Sequence, residues 1–411
     1  MKNYNRTKYT CWFSNIATAS VFSLPSLLFV TFHEMYGISY TLLGTLLLVN
    51  FSTQLVIDLV FTFFSDKFNL KTTIRITPLI TSLGLFTYAL VPYFFPEFAV
   101  YGLFAGTVIF SVAAGLCEVL VSPLVSSLPS EHHDKDLSVL HSLYGWGVVT
   151  VVLLSSVYFK IFGTEKWVYL TLFWASLPLI SSFLFFTSPI PEMNLTPSDN
   201  DKGRLKISRE IVMCALCIFL GSASENIMTD WISSFMEKSL LVPKAAGDIL
   251  GMAVFALLLA STRSVYAKFG KNIVKTLLLG MMGAAVLYIV AGCSPNVIIA
   301  FIASILIGVC TSMLWPGTLI MMEEKIPSPG VAAYALMAAC GDLGASFGPQ
   351  ITGIIVDNVS VSSFAQRLGV QYSLSPEQIG FKIGMLCAAV FPILGTIWLI
   401  YIKKSSPKKE H

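Results

Sequence analysis

Glu118 lies in the run GLCEVLVSPLV, residues 115–125, where each of the other ten residues is small or apolar. Within a lipid-embedded segment an ionisable side chain marks a solute pathway or a proton relay by default. Ser111, Ala114, Gly115 and Ser122 share its face within one or two turns of a helix and would leave room for water or ligand. The alternative is a structural hydrogen bond to a neighbouring helix. The run SENIMTDWISS, 224–234, adds Glu225 and Asp230, and places Ser222, Asn226, Asp230 and Ser233 on one polar stripe at helical spacing. Such a stripe faces a bundle interior, as cavity lining or as packing glue between helices. Trp231 beside it has the character of an interfacial anchor. Asp342 sits amid Gly341, Gly344 and Gly348, where helices can approach closely; a coupling role and a packing role both stay open.

Other candidates have weaker chemistry. Asp58 lies nearer the end of its apolar run, which suits a gate or a structural role. Arg263, near the end of its run, reads as a side chain snorkelling to the membrane surface. Tyr144, Trp146 and Trp315 offer aromatic faces next to Gly or Pro, able to pack on sugar rings or drug-like cations, or simply on lipid and other helices. His141 lines a cavity or sits at the membrane surface. His132 and His133 in EHHDKD suit a metal, but without a second ligand cluster the segment reads as a solvated loop.

What decides the solvent around these residues is composition. The 411 residues are 55% hydrophobic and 12% charged, about half the charged share of a soluble domain. Twelve apolar runs are long enough to span a bilayer: about 10–33, 40–65, 75–94, 98–127, 137–161, 167–188, 209–236, 246–267, 273–292, 296–321, 329–356 and 379–402. Helices are the expected spanning element, because every backbone group must be satisfied without water. The first run is too long for a signal-peptide core. The eight cysteines are scattered with no CxxC pair, which argues against a disulfide framework or a structural zinc site. With both termini in the cytoplasm, 20 of the 26 Lys and Arg fall on inner segments, the bias expected for that orientation. No Walker loop, HExxH, GxSxG or GxGxxG in a strand–helix context is present, which disfavours an ATP-driven pump and leaves an ion gradient.

The inner polar stretch 191–208 divides the chain into a six-helix bundle over 1–190 and a second, with a cytoplasmic tail, over 209–411. The halves echo each other. SDKFNLKTTI (65–74) and YAKFGKNIV (266–274) occupy the same point in each, aligning Asn69 with Gly270, two residue types that tolerate a left-handed turn. Internal repeats of this kind are typical of secondary transporters with a substrate site near the midplane between the repeats. A second polar stretch, 357–378, precedes the last helix on the outer side.

These features resemble the major facilitator superfamily across essentially the whole chain. Its D-(R/K)-x-G-x-(R/K) signature is matched by Asp66, Lys67, Asn69 and Lys71, with Asn69 in place of Gly and Ala267 where the second copy often has an acid. Within the superfamily the chain is most similar to the fucose-permease-like branch of sugar–proton symporters. The similarity lies in CEVLVSPLVSSLP around Glu118, in LHSLYGWG (140–147), in the pair Trp315-Pro316 and in GDLGASFGP (341–349). Helix one differs, since ATASVFSLPSLLF holds no acid.

The resemblance implies an all-α membrane protein with twelve transmembrane helices in two pseudo-symmetric bundles. It implies alternating access in the plasma membrane and proton-coupled uptake of a small polar solute such as a sugar. Efflux of amphipathic compounds, supported by the apolar first helix and abundant Phe, and a non-transporting receptor or scaffold are the alternatives. Expected proton-coupling residues are Glu118, Asp342 and Glu225. His141, Tyr144, Trp146, Asn226 and Trp315 are expected to bind substrate. Asp58, Asp66, Lys67, Asn69, Lys71 and Gly270 take gating or structural roles. A monomer in the lipid bilayer is expected, with solute and protons as partners and no nucleic acid, metal or cofactor.

Overall fold

The computed structural model describes residues 4–64, 67–129, 133–191, 208–326 and 330–405, and among them there is helix and no strand. Two compact units emerge, one of residues 1–38 and 49–200, the other of residues 39–48 and 201–411. Apart from Pro191 and Ser208, the stretch 191–208 lies outside the described residues.

The N-terminal unit holds α1 (Asn5–Tyr36), most of α2 (Tyr40–Phe64), α3 (Leu70–Phe94), α4 (Ala99–Ser126), α5 (His133–Phe162) and α6 (Trp167–Thr187). α1 ends where Gly37 takes a left-handed conformation, φ 65°, and its N–H closes onto the His33 carbonyl. The core is built by Cys11, Phe61, Ile74, Leu116, Leu120 and Leu124, with Phe32 set edge-on to Trp167 at 4.9 Å. α3 and α4 approach so closely that a Cβ at Gly106 would lie 2.6 Å from the Tyr88 backbone nitrogen. This is the small-residue contact that substitutes for a hydrophobic driving force between helices in lipid.

The C-terminal unit holds the start of α2, then α7 (Arg209–Ser234), α8 (Lys244–Ala246), α9 (Val254–Phe269), α10 (Ile273–Cys293), α11 (Val297–Thr311), α12 (Leu314–Lys325), α13 (Gly330–Ser360), α14 (Ser363–Tyr372), α15 (Pro376–Ala388) and α16 (Val390–Ser405). Phe235–Ser239 and Gly247–Ala253 are π-helical. Ile218, Leu277, Met281, Leu314 and Met321 form the centre of its core. α7 and α13 lie in close contact, since a Cβ at Gly344 would collide with the Phe219 carbonyl oxygen.

Among the described residues, eleven helical segments are long and apolar enough to cross a membrane, and the 31-residue α13 is a further long helix. Several boundaries differ from the sequence expectation. The span expected over 296–321 is found as Val297–Met322, with its helix interrupted between Thr311 and Leu314, where Pro316 has no N–H to give the Ser312 carbonyl. The span expected over 379–402 is found as Pro376–Lys404, likewise interrupted at Ala389, ahead of Pro392. The polar stretch 357–378 is largely helical: α13 runs on to Ser360, and Ser362 caps α14 by accepting from the Ala365 N–H at 3.1 Å.

Neither repeat turn is left-handed. Asn69 has φ −78° and Gly270 φ −65°. Asn69 instead caps α3 by accepting from Thr72 N–H, and Asn272 caps α10 by accepting from Lys275 N–H. The two asparagines, not Asn69 and Gly270, are the equivalent positions. Gly270 is needed for space, because a Cβ there would meet the Tyr266 ring at 2.5 Å.

Candidate functional site

In the N-terminal unit, polar chemistry gathers on the seam between α2 and α4. Asn50, Gln54 and Asp58 recur every four residues and so share one face of α2. Gln54 Nε2 donates to Asn50 Oδ1 at 3.0 Å, and Ser111 Oγ of α4 donates to the same oxygen at 2.6 Å. One turn further along α4, Gly115 seats against α2, its Cβ position 3.0 Å from Ile57 Cβ and 3.2 Å from the Gln54 carbonyl. Ser111, Ala114 and Gly115 are therefore buried against α2, and this small-residue face does not leave the room for ligand that the sequence suggests. Small side chains here serve close helix approach. Glu118, three residues past Gly115, is nevertheless exposed, while Asp58 beside Ile57 is half-buried.

On the other helices of this unit, Tyr144 of α5 meets Phe22 of α1 edge-on at 5.8 Å. Gly147 brings α5 onto Ile16 and Ala19 of α1. Trp146 does not join Tyr144. It is 61% exposed and heads a stripe with Leu153, Leu154, Val157 and Ile161, also exposed, the pattern of a lipid-facing side. The side chains of His141 and Ser122 lie outside the described residues, as do His132 and Asp66. Lys67 is exposed with its ammonium 4.8 Å from the Phe64 ring centroid, and Lys71 is half-buried at the start of α3.

In the C-terminal unit an ion pair replaces the free acid. Arg263 Nη2 of α9 donates to Glu225 Oε1 of α7 at 2.9 Å, and Arg263 Nε donates to the Ser312 carbonyl at 2.8 Å. That carbonyl is the one Pro316 leaves without a helical donor, so the break between α11 and α12 is closed by the guanidinium. Arg263 thus points inward to a partner and does not snorkel, because the interior offers it both a carboxylate and an orphan carbonyl. Glu225 Oε2 is buried with no hydrogen bond. The Tyr288 hydroxyl ties α10 to α7 through the Ser224 carbonyl at 2.8 Å.

The remaining candidates divide between packing and polar contacts. Asn226 folds back on its own helix, donating to Ser222 O and Ser222 Oγ at 2.9 and 3.1 Å. Ser233 bonds Asp248, and Asp230 is buried. Asp342 is buried in α13, and Trp315 lies over Gly341 of the same helix. Trp231 is fully buried and donates to the Pro349 carbonyl at 3.1 Å, so it is a core residue and not an interfacial anchor. Sequence reading missed Asn50 and Gln54, although their four-residue spacing to Asp58 was a usable signal, and it missed the Pro316–Ser312–Arg263 relation. Among the described residues no group of three His, Cys, Asp or Glu is placed to hold a metal ion.

Among the described residues, long apolar helices make up both units and ionisable side chains lie within them, the pattern of a polytopic membrane protein. The family model for the Major Facilitator Superfamily matches residues 11–349, and the chain belongs to that superfamily. It is accordingly a transporter of small-molecule solutes and not an enzyme. Similar solved structures include a bacterial homolog to the human lysosomal transporter Spinster, inward-facing and occupied (13% identity, 100% of this chain and 99% of that one, TM-score 0.80). A D-xylose–proton symporter is similar at 15% identity, 95% and 97% coverage and TM-score 0.74. The nucleoside transporter NupG is similar at 13% identity, 99% and 100% coverage and TM-score 0.68. At these identities the likeness concerns the fold. No curated protein sequence matches the chain.

Proposed function

We propose that the protein is a secondary active transporter that couples uptake of a small polar solute, such as a sugar, to protons by alternating access. One observation carries this reading: Glu118 is an ionisable side chain in the body of α4 that remains exposed, whereas the other expected carriers are engaged or buried. Glu225 is held by Arg263 and Asp342 is buried. A carrier of protons must reach solvent during the cycle, and the exposure of Glu118 supports it over Glu225 and Asp342. The resemblance to the fucose-permease-like branch and the likeness to xylose and nucleoside transporters support a polar solute. Within the C-terminal unit, Asn226 and Trp315 are the polar and aromatic side chains proposed to meet the solute. Residence in the plasma membrane with both termini cytoplasmic rests on the Lys and Arg distribution.

The test is Glu118→Gln in reconstituted vesicles, with pH-driven uptake and counterflow measured on the same preparation. Gln keeps shape and polarity but cannot ionise. Accumulation driven by a pH gradient should be lost, while solute binding and counterflow persist. Normal pH-driven accumulation would rule out Glu118 as the essential carrier.

A further inference from the structure

Away from the spans' centres, the C-terminal unit carries a second built feature. A cavity of about 230 Å³ opens where the end of the π-helical segment after α7, the α10–α11 turn and the start of α15 meet. It lies at the end of α10 opposite the Asn272 cap. Its wall includes Ser239, Leu241, Ser294, Ser373, Gln378 and Lys382. Drug-sized ligands occupy pockets of roughly 300–1,000 Å³, so this volume suits something smaller.

Two independent features of the wall point to the same kind of ligand. Lys382 is half-buried and gives one hydrogen bond, 2.8 Å to the Ser294 carbonyl. Among the described residues it has no carboxylate partner, so its positive charge is uncompensated and two of its three donors are open. Ser239 is 3% exposed, and its hydroxyl is buried with no hydrogen-bond partner, which a native fold seldom leaves so. Gln378 fixes the Ser239 backbone through its carbonyl at 3.0 Å and leaves the hydroxyl free. Leu241 and Ser373, with φ of 54° and 55°, are the two non-glycine residues with positive φ among the described residues, and both line this cavity. Ser373 takes this conformation as the C-cap of α14, so the cavity is bordered by a helix terminus.

We infer that this cavity is a binding site for a small oxyanion, a carboxylate or phosphate group paired with the Lys382 ammonium and accepting from the Ser239 hydroxyl. The group can arrive on a free anion or on the headgroup of an anionic lipid. The inference does not depend on the transport reading, since binding is measured without flux.

The test uses the purified full-length protein in phosphatidylcholine nanodiscs. Sodium phosphate and sodium acetate are titrated against sodium chloride at matched ionic strength while the thermal midpoint is followed. A saturable rise of the midpoint is expected, with apparent affinity weakened at least tenfold in Lys382→Gln. If the source is lipid, phosphatidylglycerol in the nanodisc raises the midpoint of the wild type but not of Lys382→Gln, and added phosphate then gives no further rise. Should Lys382→Gln fail to fold, Ser239→Ala, which leaves the Lys382–Ser294 bond intact, should weaken binding several-fold. Three results would overturn the inference. One is no response beyond chloride in either lipid. Another is an equal response in wild type and Lys382→Gln, leaving Lys382 only a cap on the carbonyl end of α10. The third, where Ser239→Ala is the variant used, is unchanged affinity.

Discussion

Arg263 joins three helical segments, and its removal should be felt as more than a lost surface charge. Arg263→Gln takes away the donor to Glu225 Oε1 and the donor to the Ser312 carbonyl. Because Pro316 supplies no N–H, that carbonyl then has no helical replacement. A hydrogen bond involving a charged group contributes about 1.5–3 kcal/mol. The Arg263 side chain is 40% exposed and that of Glu225 15%, so solvent screens the pair and the lower end, about 1.5 kcal/mol, applies to it. A further ~1 kcal/mol is expected for the orphaned carbonyl, giving a total of about 2–3 kcal/mol. Glu225→Gln removes only the charged interaction and should cost about 1–1.5 kcal/mol. The double variant should be no less stable than Arg263→Gln alone, which corresponds to a coupling energy of about 1 kcal/mol or more. Reversible unfolding by SDS in mixed micelles measures all four corners of this cycle. Additivity within about 0.3 kcal/mol would show that the two side chains do not act as a pair, and the ion-pair account of Arg263 and Glu225 would fail with it.

Two further outcomes are expected. Asp357 accepts from the backbone N–H groups of Tyr40 and Thr41 at 3.1 and 2.6 Å, capping α2 from α13. Asp357→Ala should therefore speed hydrogen exchange over residues 39–48 by about tenfold, the effect of losing a cap of ~1.4 kcal/mol, and unchanged exchange would remove the cap from the account. For orientation, a cysteine placed at Gln371 should react with an impermeant reagent in intact cells and one at Asp201 should not; labelling at Asp201 would reverse the topology.

Much of the fold was legible because lipid imposes a coarse rule, about 20 apolar residues per span, and Lys and Arg cluster between spans. What the rule does not encode is where a span breaks. The division of 296–321 and 379–402 follows from single prolines acting on a carbonyl four residues back, a local term that hydropathy averages away. The turns were misread for a related reason: Asn69 is compatible both with a left-handed turn and with a cap, and only the Thr72 N–H it meets distinguishes them. At the candidate site, Glu118 was visible as an acid in an apolar run. Its neighbours were not, since Ser111 and Gly115 look the same in sequence whether they line a cavity or admit another helix. The structure gives them to α2. Arg263 was misread because its partner Glu225 lies 38 residues away and the orphan carbonyl 49, separations at which periodicity is silent.

The two units treat charge inside their spans in different ways, and this difference bears on mechanism. In the C-terminal unit the acid of α7 is matched by a guanidinium, and the guanidinium is itself fixed by a backbone carbonyl that a proline has freed. Such a triad is specified by geometry on three sides, and a partner once removed leaves a charge or a carbonyl unmet, so it suits a permanent element of the unit. In the N-terminal unit the polar ladder of Asn50, Gln54 and Ser111 is satisfied internally. Asp58 and Glu118 lie on these same two helices, half-buried and exposed respectively. The coupling role proposed for Glu118 therefore separates it from Glu225 by experiment: Glu118→Gln should abolish pH-driven accumulation with the fold intact, whereas Glu225→Gln, which loses the Arg263 pair, should lower stability.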